Sequence, residues 1–330
     1  MTDPDRRIEY LDWLRALAVS LVVFGHSARN LAPGGAIGVS VFFVLSGYLI
    51  ASILLRDGML RPLNIGKFIL RRIARIWPMY AAVIFFMIVV TRWTNPAMNE
   101  AFTRNALDLL TFQGLIGEWV GLTAGVLWTL YVEFWFYVSF PIFLFAAVHL
   151  RAVWPLLCIG IAASIYAKFA GYGQLEYLYY DHLLIGAAAA YAQKTQSLPS
   201  FIKHPGTTKI AVLTILALGL LLPFWHRNFI WWMQSLLVCC ATAVAILAFD
   251  KRPPKVSLPA LSYIGRISYS AYFIHAILLD LVFKSDDGRP GQIPLFLLLT
   301  VVLSSATYRF IEEPINRLAK RILPFRVPTP

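Results

Sequence analysis

The sequence predicts an all-α, polytopic membrane bundle of about ten spans with a short cytoplasmic amphipathic helix. Three observations carry that prediction. Of the 330 residues, 59% are hydrophobic and only 14% charged, with a mean hydropathy of +0.67; soluble domains carry about 25% charged residues. The apolar runs are continuous rather than alternating with period two, which argues against strands, and an open sheet cannot satisfy its backbone in lipid. They also recur along the whole chain and leave no polar stretch long enough for a separate soluble domain. Residues 1–330 therefore read as a single integral-membrane domain.

Each span needs roughly 20 apolar residues to cross a hydrocarbon core of about 30 Å. The first, 10–28, contains WLRALAVSLVVFGHS and carries Arg15 and His26. Arg6 and Arg7 ahead of it resemble the start of a signal peptide. The interrupted apolar run and the absence of a small-residue cleavage site argue that the span is retained. The second, 36–55, includes IGVSVFFVLSGYLI, where Ser40, Ser46 and Gly47 suit close packing against the first span.

Next comes NIGKFILRRIARIWPMY. Ile65, Phe68, Ile69, Ile73 and Ile76 fall on one helical face, and Lys67, Arg71 and Arg75 on another. This pattern predicts an in-plane amphipathic helix capped by Asn64, with Pro78 in the first turn of a third span at 77–92. Residues 106–117 read as a re-entrant or interfacial piece. The fourth span, 124–148, holds LWTLYVEFWFY with Glu133; 152–170, 177–193 (with His182), 209–225 and 229–249 follow. The ninth, 262–283, contains ISYSAYFIHAILL, and the tenth, 293–311, ends in YRFIEEPINR.

The net charge of +12 does not indicate nucleic acid. With the amino terminus inside, 20 of the 29 Lys and Arg fall in inner segments and 7 in outer ones. That bias predicts cytoplasmic termini and supports the ten spans. Cys158, Cys239 and Cys240 all lie in spans, so neither a disulfide framework nor a CxxC metal site is indicated, and no metal is expected. No internal repeat supports a transporter built from duplicated halves.

Arg15 and His26 are eleven residues apart, about 20° past three full helical turns and about 16 Å along the axis. They share a face at different depths, which suits two ends of one pathway. An intramembrane charge usually faces a protein-lined or wet cavity. Equally, His26 reads as a histidine satisfied between helices and Arg15 as a side chain snorkelling to the interface. Asp12, one turn earlier, can pair with Arg15. The run Arg71, Arg72 and Arg75 suits either anionic lipid head groups or a bidentate phosphate clamp. Glu133 must pair, protonate or face water; Arg15 is one candidate partner, and His26 fits its depth better. Such a His–Glu couple suits general base catalysis. Ser268, Tyr272 and His275 share one face of the ninth span, where packing is the commoner role.

In order and spacing these segments resemble the membrane acyltransferase-3 family. The resemblance rests on the Arg15–His26 spacing, FFVLSGYLI, RRIARIWPMY, LWTLYVEFWFY, SYSAYFIHA and FIEEPINR, and covers nearly the whole chain. It implies transfer of an acyl group, most often acetyl, from cytoplasmic acyl-CoA to a hydroxyl of a carbohydrate or glycolipid acceptor. The family's essential arginine and histidine correspond to Arg15 and His26, and its RxxR element to Arg72 and Arg75. Acetyl-CoA phosphates would then lie on Arg71, Arg72 and Arg75, the pantetheine arm would pass Arg15, and His26 would act as general base with Glu133 behind it, or become transiently acylated. Ser46, Tyr272 and His275 are candidates for the acceptor. The resemblance is to the branch without an appended hydrolase-like domain, in the bacterial cytoplasmic membrane. The competing reading is a transporter or flippase using Arg15, His26 and Glu133; saturable acetyl-CoA binding separates the two.

Overall fold

The computed structural model describes residues 9–28, 33–113, 121–170, 179–221, 229–254, 256–283 and 290–325, and among them there is helix and no strand. In chain order the α-helices are α1 (Glu9–Ser27), α2 (Gly38–Leu54), α3 (Pro62–Thr94), α4 (Pro96–Arg104), α5 (Ala106–Leu110), α6 (Leu122–Val126) and α7 (Trp128–His149). Then follow α8 (Val153–Phe169), α9 (Tyr180–Thr195), α10 (Thr207–Leu221), α11 (Phe229–Lys251), α12 (Pro259–Leu278), α13 (Ile293–Thr307) and α14 (Glu313–Ile322).

Six helical stretches among the described residues are long and apolar enough to cross a membrane. They match the expected spans at 36–55, 77–92, 124–148, 229–249, 262–283 and 293–311. The other four expected spans correspond to α1, α8, α9 and α10, which run 19, 17, 16 and 15 residues. Asp12, Arg15 and His26 lower the apolar content of α1, and the expected spans at 177–193 and 209–225 extend beyond the described residues. Large apolar side chains such as Phe85, Ile142, Ile159, Ile210 and Leu298 are exposed. Water would penalise so many, whereas lipid accommodates them.

Chain contacts gather into two compact units. The first comprises Met1–Ser52, His182–Tyr269 and Asp286–Ile293. Here Gly47 lies against the backbone of Leu183, and a Cβ on Gly47 would fall 1.9 Å from the Leu183 carbonyl oxygen. The small-residue seam expected between the second span and the first is therefore formed, at Gly47, with α9. Helical periodicity gave the face but not the neighbour. Contact between α1 and the start of α2 is made just before Ser40, where Gly38 lies against the Ala18 carbonyl. A further close approach joins Gly265 of α12 to the Asp12 carbonyl, where an added Cβ would lie 1.9 Å away. Trp13 Nε1 donates to Ser262 Oγ across the same pair of helices at 2.9 Å.

The second unit comprises Ile53–Asp181, Ser270–Ser285 and Pro294–Pro330. Its principal departure from expectation is α3. The separate in-plane helix does not exist: residues 62–94 form one α-helix of 33 residues with Pro78 inside it. Pro62 occupies the first turn in place of an Asn64 cap, and Asn64 is buried, donating to the Gly58 carbonyl at 2.8 Å. Pro78 forfeits one backbone bond, but Phe68, Ile76, Met79, Tyr80 and Val83 form a buried face continuous across it, so both halves rest on one support. At 1.5 Å per residue α3 is about 50 Å long, so about 20 Å of it exceeds the hydrocarbon thickness. The amphipathic arginine segment forms the amino-terminal half of this helix.

The expected piece at 106–117 is described as far as 113. Stacking of Phe112 between Tyr80 and Phe134, with centroids 4.8 and 4.2 Å apart, pins it to α3 and α7. Trp77 Nε1 donates to the Leu110 carbonyl and Trp135 Nε1 to that of Phe112, each at 3.0 Å. At the other end of the unit, α13 continues through a π-turn, Tyr308–Glu312, into α14, with Pro314 in the first turn of α14. Buried Glu312 there accepts from Ser270 Oγ at 3.0 Å.

Candidate active site

In the first unit, α1 is helical without interruption from Glu9 to Ser27, so Arg15 and His26 share the stripe the spacing predicts. Leu11, Asp12, Val19 and Val22 on that stripe are buried, while Arg15 and His26 are only partly so. The other partly exposed residues of the helix interior, Leu17, Ser20 and Phe24, lie about 140–200° away around the axis. Arg15 and His26 thus keep accessible surface on a side of α1 that is otherwise packed, distinct from its Leu17–Phe24 side. Asp12, 1% exposed, accepts from Arg15 Nη1 at 2.6 Å, which confirms the expected pair and orients the guanidinium. Ser46 is partly buried on α2.

A second polar chain in this unit joins His182 and Ser40, which the sequence marks only singly, through Ser235. His182 Nε2 lies 2.6 Å from Ser235 Oγ, which lies 2.9 Å from Ser40 Oγ, and all three residues are buried. The edge of the His182 ring meets Phe43, with centroids 6.4 Å apart. These contacts tie α2, α9 and α11 together by interhelical hydrogen bonds. His182 is inconspicuous in the sequence because no serine lies near it there.

In the second unit the arginine run divides. Arg71 turns to the carboxyl-terminal segment: its Nε donates to the Leu323 carbonyl at 2.8 Å, its Nη2 to that of Lys320 at 3.3 Å, and its guanidinium lies 3.8 Å from the Phe325 ring centroid. Lys67 Nζ joins it by donating to the Pro324 carbonyl at 2.7 Å. Both supply donors to the end of α14, where helix carbonyls lack intrahelical partners and cations are favoured.

Arg72 points elsewhere. Its guanidinium lies 5.3 Å from the Phe68 ring centroid and 5.7 Å from the Tyr137 ring centroid, within electrostatic reach of Arg75 and Glu133. The Tyr137 hydroxyl donates to Glu133 Oε1 at 2.5 Å. Glu133 also acts on Tyr272. Within its own unit, then, the carboxylate that depth alone assigns to His26 keeps company with Tyr137, Arg72 and Tyr272. Tyr137 is legible in the sequence only as the residue one turn after Glu133.

Tyr272 and His275 are buried. The Tyr272 hydroxyl donates to the Val126 carbonyl at 3.3 Å and accepts from Thr129 Oγ1 at 3.1 Å. His275 Nδ1 lies 3.0 Å from the Ala271 carbonyl one turn earlier on α12, a contact in which Nδ1 donates. Asp280, also unforeseen, accepts from the backbone N–H groups of Leu122 and Thr123 at 2.8 and 2.7 Å and caps α6.

With six helical stretches long and apolar enough to cross a membrane among the described residues, the chain falls in the class of helical integral-membrane proteins. More specifically, the chain belongs to the acyltransferase-3 family, whose model, described as an acyltransferase domain, matches residues 8–309. It is 30% identical over 368 residues to a Bacillus subtilis protein provisionally named peptidoglycan O-acetyltransferase YrhL, a match covering 99% of this chain and 57% of that protein. It is 26% identical over 353 residues to Staphylococcus aureus O-acetyltransferase OatA, covering 94% and 58% respectively. The chain thus spans under three-fifths of the length of these curated relatives. No solved structure matches it significantly.

Proposed function

We propose that this protein is an O-acyltransferase that moves an acetyl group from acetyl-CoA to a carbohydrate hydroxyl of the cell envelope, with His26 as general base. The observation that carries the reading is the α1 stripe, where Arg15 and His26 keep accessible surface among buried neighbours. In the reaction the His26 imidazole takes the proton of the acceptor hydroxyl, and the oxygen attacks the thioester carbonyl. The C–S bond then breaks, and CoA thiolate leaves and is reprotonated by the imidazolium. In this reading Arg15, paired with Asp12, stabilises negative charge developing on the thioester oxygen or the leaving sulfur. Arg72 and Arg75 offer the guanidinium groups that pair with the donor's phosphates.

The relatives' names favour peptidoglycan as the acceptor. The arrangement of Lys and Arg favours ten spans in the bacterial cytoplasmic membrane with both termini on the donor side. Protein in lipid nanodiscs with labelled acetyl-CoA and soluble glycan fragments tests the reading. His26→Ala is expected to lose transfer by about 10²-fold or more while retaining saturable acetyl-CoA binding. Normal transfer by that variant removes His26 from the chemistry, and absence of saturable acetyl-CoA binding by the unmodified protein removes the donor.

A further inference from the structure

We infer that Tyr137 and Glu133 are positioning residues for the donor end of the reaction, holding the Arg72 guanidinium so that its free N–H groups are presented to the phosphates of an acyl-CoA. This rests on acyl-CoA being the donor. The argument begins with hydrogen-bond capacity. A carboxylate only accepts and a guanidinium only donates, so a phenol joining them must donate to the first and accept from the second. The Tyr137 hydroxyl gives its hydrogen to Glu133 Oε1 at 2.5 Å. Its oxygen is thereby left to accept from Arg72, whose guanidinium lies 5.7 Å from the Tyr137 ring centroid. The chain Arg72 to Tyr137 to Glu133 is polarised in one direction, and each member fixes the next.

Its framework is rigid. Glu133 and Tyr137 lie one turn apart on α7, which packs on α3, and Tyr137 is 3% exposed with its ring edge-on to buried Phe68 at 6.4 Å. Arg72 and Arg75 are like charges one turn apart on α3, and Glu133 supplies the opposite charge that makes their juxtaposition tolerable. A guanidinium has five N–H groups; a single phenol oxygen leaves enough for the two-pronged pairing that a phosphate takes. In this reading Glu133 supports the phosphate clamp through Tyr137.

The test compares acetyl-CoA with acetyl-pantetheine, which has the same thioester and no phosphate, using the full chain in lipid nanodiscs. Tyr137→Phe is expected to raise KM for acetyl-CoA about tenfold, the worth of one charge-assisted hydrogen bond. It should leave kcat within about twofold, leave acetyl-pantetheine kinetics unchanged, and add nothing to Arg72→Ala. Glu133→Gln, which keeps an acceptor and removes the charge, should follow the same pattern with a smaller rise. KM is independent of the fraction of active protein, so partial loss of folding does not imitate this result.

A fall in kcat at unchanged KM, an altered pH profile of kcat in Glu133→Gln, or equal KM changes with both donors overturns the inference and returns Glu133 to His26 or to packing. Absence of acetyl-CoA-dependent transfer in the unmodified protein sinks the donor reading itself, a different outcome from any of these.

Discussion

Arg71→Ala separates the roles of two adjacent arginines. The substitution removes the 2.8 Å bond to the Leu323 carbonyl, the 3.3 Å bond to that of Lys320 and the stacking on Phe325. A hydrogen bond from a charged donor contributes about 1.5–3 kcal/mol, and a cation over an aromatic ring about 0.5–1 kcal/mol at an accessible site. Arg71 is only half-buried and its second bond is long. The lower ends of those ranges therefore apply, giving about 2–3 kcal/mol, or about 30- to 150-fold in the docked population of the segment. Hydrogen exchange in nanodiscs should show residues 313–325 losing protection by about that factor, while KM for acetyl-CoA rises far less than in Arg72→Ala. Unchanged exchange at 313–325 together with a KM increase equal to that of Arg72→Ala would overturn this division of roles and place Arg71 in the phosphate clamp.

Gly265→Ala should lower the thermal unfolding midpoint in detergent, because the new Cβ meets the Asp12 carbonyl at 1.9 Å between two backbones; overpacking of this kind costs about 1–3 kcal/mol. Transfer activity should fall with it, since Asp12 orients Arg15. Asp280→Ala leaves the Leu122 and Thr123 amides without their acceptor and should cost about 2–4 kcal/mol locally, seen as faster hydrogen exchange across 122–126. Asp280→Asn, with one acceptor oxygen left, should recover part of that protection.

The sites readable from sequence were those built within one helix. The stripe shared by Arg15 and His26 follows from helical periodicity alone, and the Asp12–Arg15 pair from a separation of three residues. Glu133 was visible because a carboxylate in an apolar span stands out. Its neighbours Tyr137 and Arg72 were not, since periodicity within one helix does not say which residues of another helix it meets. His182, Ser235 and Ser40 were obscured by sequence separation, each being ordinary among its immediate neighbours.

Sequence alone dictates the helical membrane class, the face on which each polar residue lies, and the family. These follow from local apolar content, from a period of 3.6 residues, and from motifs whose order survives without any contact being known. Tertiary packing settles which helix lies against which face: Gly47 on Leu183, Arg71 on the end of α14, Arg72 on Tyr137, and α3 carried straight through Pro78 by a continuous buried face. The reason is that lipid is as apolar as the helix surfaces themselves. Burial no longer selects a neighbour there, and the choice passes to steric fit and to hydrogen bonds between residues distant in sequence.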